Sequence, residues 1–241
     1  MTIFLDTHGS PTGQRLLGTG RFVLWSDNAQ ARRGDTVLKW GRGMGGYPSG
    51  VRRLNPVITS DKLYQGQAIA RAGIPIPKIY TNAEEWERDG YPDLVKKPRE
   101  GEGGRGITLC KREGPRPGWR HENIYMRYVD KVREFRSLQI GNLSAYIMEK
   151  FPPRDRNPIC WNLHQGAEWR RIYPYPSRLS GLNLKINQLA TETLSSIKYD
   201  FGGVDLLMDK DENLWVLECN SRPGLGEENL PLFVTALFDY L

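Results

Sequence analysis

A chain of 241 residues, 39% hydrophobic and 26% charged, has apolar mass for one main core with a small appendage. No apolar run reaches the roughly 20 residues that span a bilayer, and the opening MTIFLDTHGS carries an acid and a histidine where a secretory signal has a basic flank and a long apolar stretch. The net charge of +6 is skewed toward residues 1–60, where eight Lys/Arg face three acids; this suits an anionic partner, or equally a solvated basic face.

Taken in order, residues 2–6, residues 21–25 and Thr36–Trp40 read as short strands, with glycine-rich connections such as GRGMGGYPSG at 41–50. Residues 1–58 thus form a small α/β piece, too short for a full doubly wound domain. Its Arg42, Arg52 and Arg53 are expected to face an acidic substrate group. Thr59-Ser60-Asp61 opens a helix over 62–72 that Gly73 stops, with Leu63, Ala68, Ile69 and Ala72 on its burying side. IPIPK at 74–78 leaves extended, because residues before proline avoid the α region. Ala83–Arg88 is a short helix, and 91–97 is a strand that ends in lysine. The three cysteines, Cys110, Cys160 and Cys219, are scattered and lack metal-ligand spacing, which points to a reduced, cytoplasmic setting.

A glycine-dense loop, KPREGEGGRG, runs from Lys97 to Gly106, and 106–111 returns as a strand. Glycines let successive backbone N–H groups turn toward an anion, and a lysine supplies a point charge for phosphate. The order G-x4-G-K-[ST] is absent and no helix follows, so this is not a Walker loop. A flexible hairpin tip that binds nothing is the competing reading. Beyond it, 123–129 is a strand, and 134–140 and 143–150 pair about the turn Gly141-Asn142, with Glu134 and Arg136 on one strand face. A loop with Arg154 and Arg156 leads to WNLHQG at 161–166. Residues 183–198 form an amphipathic helix with Leu184, Leu189, Thr193 and Ile197 at helical spacing.

The stretch FGGVDLLMDKDENLWVLECNSRPGLG, 201–226, reads as two strands, 204–208 and Leu214–Asn220, about a polar turn. Strict alternation sets Glu218 and Asn220 on one face with Val216, and Asp205 meets Glu218 across the ladder if the turn closes as its composition suggests. Two carboxylates and an amide carbonyl then converge in apolar surroundings, which is costly unless a cation lies between them. Oxygen ligands of this kind suit Mg²⁺ or Mn²⁺, with phosphate oxygens completing the shell. Arg222 stands in the turn that follows. A surface hairpin with solvated acids is the alternative. The last helix starts at Leu230, capped by Asn229 and primed by Pro231, and buries Phe233, Leu237 and Tyr240.

From Thr59 onward, about three quarters of the chain, this order of motifs resembles the ATP-grasp superfamily. Within it the nearest likeness is to carboxylate–amine ligases such as the ribosomal-protein glutamate ligases and D-alanine–D-alanine ligases. The resemblance implies an α/β (α+β) fold in which two α+β subdomains grip ATP: 59–124 as the lid part, 125–241 as the metal part, and 1–58 as the substrate-side piece. It implies that Lys62 in SDK and Lys97 in VKKP hold the phosphates, under a lid made by Gly101, Gly103, Gly104, Arg105 and Gly106. Tyr125, Met126, Arg127, Tyr128 and Val129, with Leu217, would line the adenine slot, and Glu134 would take the acidic position near the ribose. Asn162, in a segment similar to N-L-H-R-G, falls at the reaction centre, and Asp205, Glu218 and Asn220 match the metal ligands. D-alanine–D-alanine ligases carry an arginine two residues before the metal aspartate. Here that position is Gly203, which leaves Arg136 and Arg222 as candidates for the acyl-phosphate.

The activity so implied joins a carboxylate to an amine of an amino acid, peptide or protein terminus, using ATP and Mg²⁺, and releases ADP and phosphate. A kinase of the same fold, and a regulatory protein that holds nucleotide or nucleic acid without turnover, are the alternatives. His8, His121 and His164 are expected to be structural.

Overall fold

The computed structural model describes residues 1–7, 9–26, 30–41, 45–101, 103–152, 159–161 and 166–241. The chain begins with β1 (Ile3–Thr7) and an eight-residue helix, α1 (Pro11–Gly18). Ser10 starts α1 by accepting from the Gly13 N–H at 3.0 Å, and Pro11 fits the first turn. The sequence reading missed this helix, whose short run carries no apolar stripe. Three further strands, β2 (Val23–Leu24), β3 (Thr36–Trp40) and β4 (Arg52–Leu54), join β1 in an all-parallel sheet of order β2-β1-β3-β4.

Next comes α2 (Lys62–Arg71), capped by Asp61, whose carboxylate accepts from the Leu63 and Tyr64 N–H groups. Its buried residues are Gln65, Gly66 and Ile69; Ala72 lies past the last turn and is exposed. A second sheet follows, built from β5 (Ile79–Tyr80), β6 (Leu94–Pro98), β7 (Thr108–Cys110) and β8 (Asn123–Arg127) in the antiparallel order β5-β8-β6-β7, with α3 (Ala83–Arg88) between β5 and β6. β8 spans the 124/125 boundary expected from sequence and pairs with β6 along its length.

The third sheet is antiparallel, order β11-β10-β9-β12-β13: β9 (Lys131–Ile140), β10 (Leu143–Phe151), β11 (Glu168–Pro174), β12 (Phe201–Asp209) and β13 (Leu214–Asn220). Helix α4 (Gly181–Ile197) precedes β12, and α5 (Leu230–Tyr240) follows β13. On one face of this sheet Phe135, Ile147, Val204, Leu206 and Val216 pack under α4, through Ile186, Ala190, Leu194 and Ile197, and under Ile69 of α2. Leu184, expected in that stripe, is 52% exposed, because the buried phase of α4 runs through Ile186 and Ala190 instead.

The opposite face is shared. At one end Leu138, Ile140, Tyr146 and Phe201 meet Ile3, Leu5, Leu38 and Trp40 of the parallel sheet and Phe233 and Leu237 of α5. Trp40 stacks on Phe201 and meets Phe233 edge-on, both at 5.3 Å between ring centres. Burial of such side chains contributes roughly 1.5–3 kcal/mol each, so the N-terminal piece is held by the larger unit's core. Asn55 staples the junction: its side chain accepts from the Asp200 and Phe201 N–H groups and donates to Phe201 O. Asn229 does not cap α5 with its side chain. It closes a 3-10 turn, Glu227–Asn229, and its amide bonds Glu228. Arg52, rather than facing a substrate, donates to Leu241 O at 3.1 Å and lies over the Tyr240 ring.

Candidate active site

The candidate site lies on the half of the shared sheet face that the N-terminal strands leave uncovered. Strand alternation puts Glu134 and Arg136 of β9, Lys150 of β10 and Gly203, Asp205 and Leu207 of β12 on that face. Arg136 stands directly opposite Asp205.

Two β-bulges complete the arrangement. On β13 the ladder pairs Leu206 with Val216 but Asp205 with Glu218, so Leu217 is the extra residue. The insertion reverses the phase of the strand. Leu214, Val216 and Cys219 all pack in the helix-covered core, while Glu218 and Asn220 turn to Asp205. Asp205 and Glu218 therefore do meet, as expected, but Val216 is on the other face. On β10 a register shift between Ser144 and Tyr146 brings Lys150, instead of Glu149, opposite Glu134.

Asp205 is tightly paired. It accepts from Arg136 Nε and Nη2 at 2.8 and 2.6 Å and from Lys150 Nζ at 2.8 Å. Lys150 also donates to Glu134 at 2.7 Å, and the second Glu134 oxygen is paired with Lys131. Burial alone would raise the Asp205 pKa, but Arg136 and Lys150 outweigh it and hold the carboxyl well below the ordinary range. Trp169 lies against both cations, its ring centre 4.9 Å from the Arg136 guanidinium and 5.0 Å from the Lys150 ammonium.

Glu218 and Asn220 are held more loosely. Asn220 Nδ2 is 3.3 Å from Asp205 and 3.4 Å from Glu218, and Lys97 Nζ is 3.6 Å from Glu218. Lys97 reaches across from β6 and also donates to Leu217 O, the carbonyl of the bulge, at 3.3 Å. It is buried, and that burial lowers its pKa, with Glu218 opposing. Counted together, Lys97, Lys131, Arg136 and Lys150 face Glu134, Asp205 and Glu218, a surplus of one cation that suits an anionic ligand.

Register places Val95, Lys97, Ile124 and Met126 on one face of the β5–β8 sheet, the face from which Lys97 reaches Glu218. Met126 is thus buried on the face that carries Lys97. Tyr125 is turned away, into a separate core with Tyr80, Trp86 and Leu94, and Val129 lies past the end of the strand. Lys62 Nζ donates to Gly101 O at 2.6 Å, so the expected phosphate lysine and the glycine loop stand together. Both ends of that loop touch Pro98: a Cβ added at Gly106 would lie 3.0 Å from its ring, and one at Gly101 would lie 3.8 Å away. Arg105 is exposed on the loop.

The space beside Gly203 is already taken. A Cβ there would lie 3.0 Å from Pro223, which takes the room a longer side chain at 203 would need, and 3.7 Å from Arg136 Cδ on the neighbouring strand. Arg222 is exposed and folds over Gly41, whose φ of +80° leaves no place for a side chain. Asn162 lies outside the described residues, as do Arg42, Arg154, Arg156, His8 and His164. His121 is exposed beside Glu122.

No protein-family profile matches the sequence, and no curated protein does. Solved structures match over nearly the full length. A RiPP-associated ATP-grasp ligase of Chryseobacterium gregarium, in complex with ADP and a leader and core peptide, superposes with a TM-score of 0.65 at 14% identity, over 100% of this chain and 98% of that one. The ATP-grasp ligase PsnB with its minimal precursor gives 0.65 at 12% identity, over 99% and 98%. D-alanine–D-alanine ligase from Bacillus anthracis, complexed with ATP, gives 0.61 at 18% identity, over 98% and 91%. The chain has the ATP-grasp fold.

Within this ATP-grasp fold the residues present fit a hard divalent cation. Two carboxylates and an amide converge on one face, and the Asn220 amide, long-bonded to both acids, offers its oxygen when turned end for end. The sequence reading missed Lys131, Lys150 and Trp169. The signal for Lys150 was present in the hairpin, but counting back from Gly141-Asn142 pairs Glu134 with Glu149, and only the bulge corrects the pairing. No helix among the described residues is long and apolar enough to cross a membrane.

Proposed function

We propose that this ATP-grasp chain is an ATP- and Mg²⁺-dependent ligase that joins a carboxylate to an amine through an acyl-phosphate, releasing ADP and phosphate. The observation that carries the reading is the meeting of Lys97, on the strand that opens the glycine loop, with Glu218 and the bulged Leu217 carbonyl on the carboxylate hairpin. A buried ammonium with its carboxylate 3.6 Å away is poorly compensated, and phosphate oxygens at the same place would complete its shell.

In this reading residues 59–124 form the lid side, 125–241 the metal side and 1–58 the substrate side. Lys62, Lys97 and the loop amides hold the phosphate oxygens. Glu218 and Asn220, with Asp205, would hold Mg²⁺, which would supply positive charge against the phosphoryl group in transfer. A carboxylate is a poor acyl donor because its leaving group would be oxide; transfer of the γ-phosphoryl group to it gives an acyl-phosphate with a good leaving group. The amine then attacks the acyl carbon and phosphate departs. Arg136, fixed beside Gly203 by Asp205, steadies the oxyanion that forms. The lid sheet over the cleft keeps water from the acyl-phosphate. A peptide supplying the carboxylate or the amine is the favoured substrate class, supported by the solved ligases that carry precursor, leader or core peptides.

Incubating the protein with ATP, Mg²⁺ and a panel of amino acids and peptides, then separating the nucleotides, tests the reading. ADP and phosphate in equal amounts, dependent on an acceptor, are expected. AMP with pyrophosphate, or no turnover with any acceptor, would overturn it.

A further inference from the structure

We infer that Arg99 and Asp61 are positioning residues: an ionic strap that joins the glycine loop to the start of α2, so that Lys62 and the loop are presented to the phosphates as one unit. The inference rests on the nucleotide reading of this site, but the strap itself is visible without it.

Arg99 is the second residue after Lys97, where β6 passes into the loop. Its guanidinium takes both oxygens of Asp61, with Nε at 3.1 Å from Oδ1 and Nη2 paired with Oδ2. The fork-to-carboxylate match is the strong, orientation-specific form of an ion pair. Nη1 continues to His121 O at 3.3 Å, and the Arg99 backbone is pinned on both sides, its N–H donating to Glu122 O at 2.9 Å and its carbonyl accepting from the Lys62 N–H at 3.0 Å. Lys62 then closes the circuit through its ammonium on Gly101 O. The loop's stem is thus fixed to the helix start by one backbone bond, one ammonium-to-carbonyl bond and one bidentate ion pair, all made by Asp61 and Lys62.

Asp61 has a second task, since the same carboxylate caps α2 through the Leu63 and Tyr64 N–H groups. The two tasks are chemically separable. Asparagine caps a helix about as well as aspartate, but it cannot give a guanidinium an ionic, two-oxygen partner. Asp61→Asn therefore releases the strap while leaving the cap. With the stem released, ordering of the loop has to accompany nucleotide binding and weakens it, whereas the chemistry after binding is unchanged.

The test compares wild type with Asp61→Asn, Arg99→Met, Arg99→Lys and Asp61→Ala. For Asp61→Asn and Arg99→Met the KM for ATP should rise about tenfold with kcat within about twofold. Arg99→Lys should recover part of the loss, because it restores the charge without the fork. Limited trypsin digestion, read by mass spectrometry, should show cleavage after the exposed Arg105 several-fold faster in Asp61→Asn than in wild type, with no nucleotide present. Thermal melting should leave Asp61→Asn near wild type and lower Asp61→Ala, which loses cap and strap together. Equal KM and equal cleavage after Arg105 in wild type and Asp61→Asn would overturn the strap. Wild type that binds no ATP but shows the cleavage difference would overturn the nucleotide reading and keep the strap as an anchor of the loop.

Discussion

Asp205 and Glu218 face each other across one rung of the same hairpin, yet they sit in opposite electrostatic conditions. Asp205, on the inner strand, is bound by a guanidinium and an ammonium and is buried. Glu218, on the bulged outer strand, has contacts of 3.4 and 3.6 Å and keeps a quarter of its side chain exposed. The inner acid anchors cations, and the outer acid has coordination to spare. In the proposed reading such a site holds its charge pattern through the sheet and would receive its ligand at the hairpin's edge.

The sharpest way to break the contrast is Glu218→Ala. It removes the loosely held carboxylate, leaves the apolar face of β13 in place, and should cut turnover by about a thousandfold at ordinary Mg²⁺ with little change in melting temperature. Unchanged turnover would take Glu218 out of the metal set. Arg136→Ala should act in the reverse manner, on stability first: stripping one partner from a buried ion pair costs about 3–5 kcal/mol, measurable as a large drop in urea midpoint. Lys97→Ala, which touches the outer acid alone, should raise the ATP KM about tenfold and leave stability near or above wild type, since an ammonium disfavoured by burial is gone.

The smallest effect is one of pH. Because the folded-state pKa of Asp205 lies below its unfolded value, near 3.9, its contribution to stability is complete above about pH 4 and is lost as pH falls toward the folded-state value. Asp205→Asn should therefore flatten the acid limb of a stability-versus-pH curve. Equal acid limbs for Asp205→Asn and wild type would contradict the pairing of Asp205 with Arg136 and Lys150.

Much of this was legible in the sequence because it depends on local chemistry. Asp61 and Gly73 mark α2, Gly141-Asn142 makes the hairpin, and the lysine–glycine run ends β6. The site was legible in its residue types and less so in its faces. Strict alternation put Val216 on the face of Glu218, and one inserted residue on β13 displaces it; the shift on β10 that sets Lys150 opposite Glu134 is likewise announced by no side chain. Helix α4 was found with most of its buried side, Leu189, Thr193 and Ile197, and only Leu184 falls outside it, where the sheet selects Ile186 and Ala190. Arg52 was read as substrate-facing because its charge was visible, whereas its partner, the end of α5, lies at the far end of the chain.

The core shared by the parallel sheet and the last helix has a consequence for the order of folding. Trp40 leaves the ribosome long before Phe201 and Phe233, against which it packs. At roughly 5–20 residues per second, the interval is on the order of ten seconds or more. Until then β1 and β3 have only local cover, from Leu16 and Phe22 in the same core and from Trp25 and Val51 against Phe4 and Val37, and the contacts to Phe201 and Phe233 that complete it are of the long-range kind that slows folding. In a refolding experiment the near-ultraviolet signal of Trp40 should develop in the last phase, together with α5. A variant such as Phe233→Ala should delay that phase more than it disturbs the lid sheet, whose core of Tyr80, Trp86, Leu94 and Tyr125 is local.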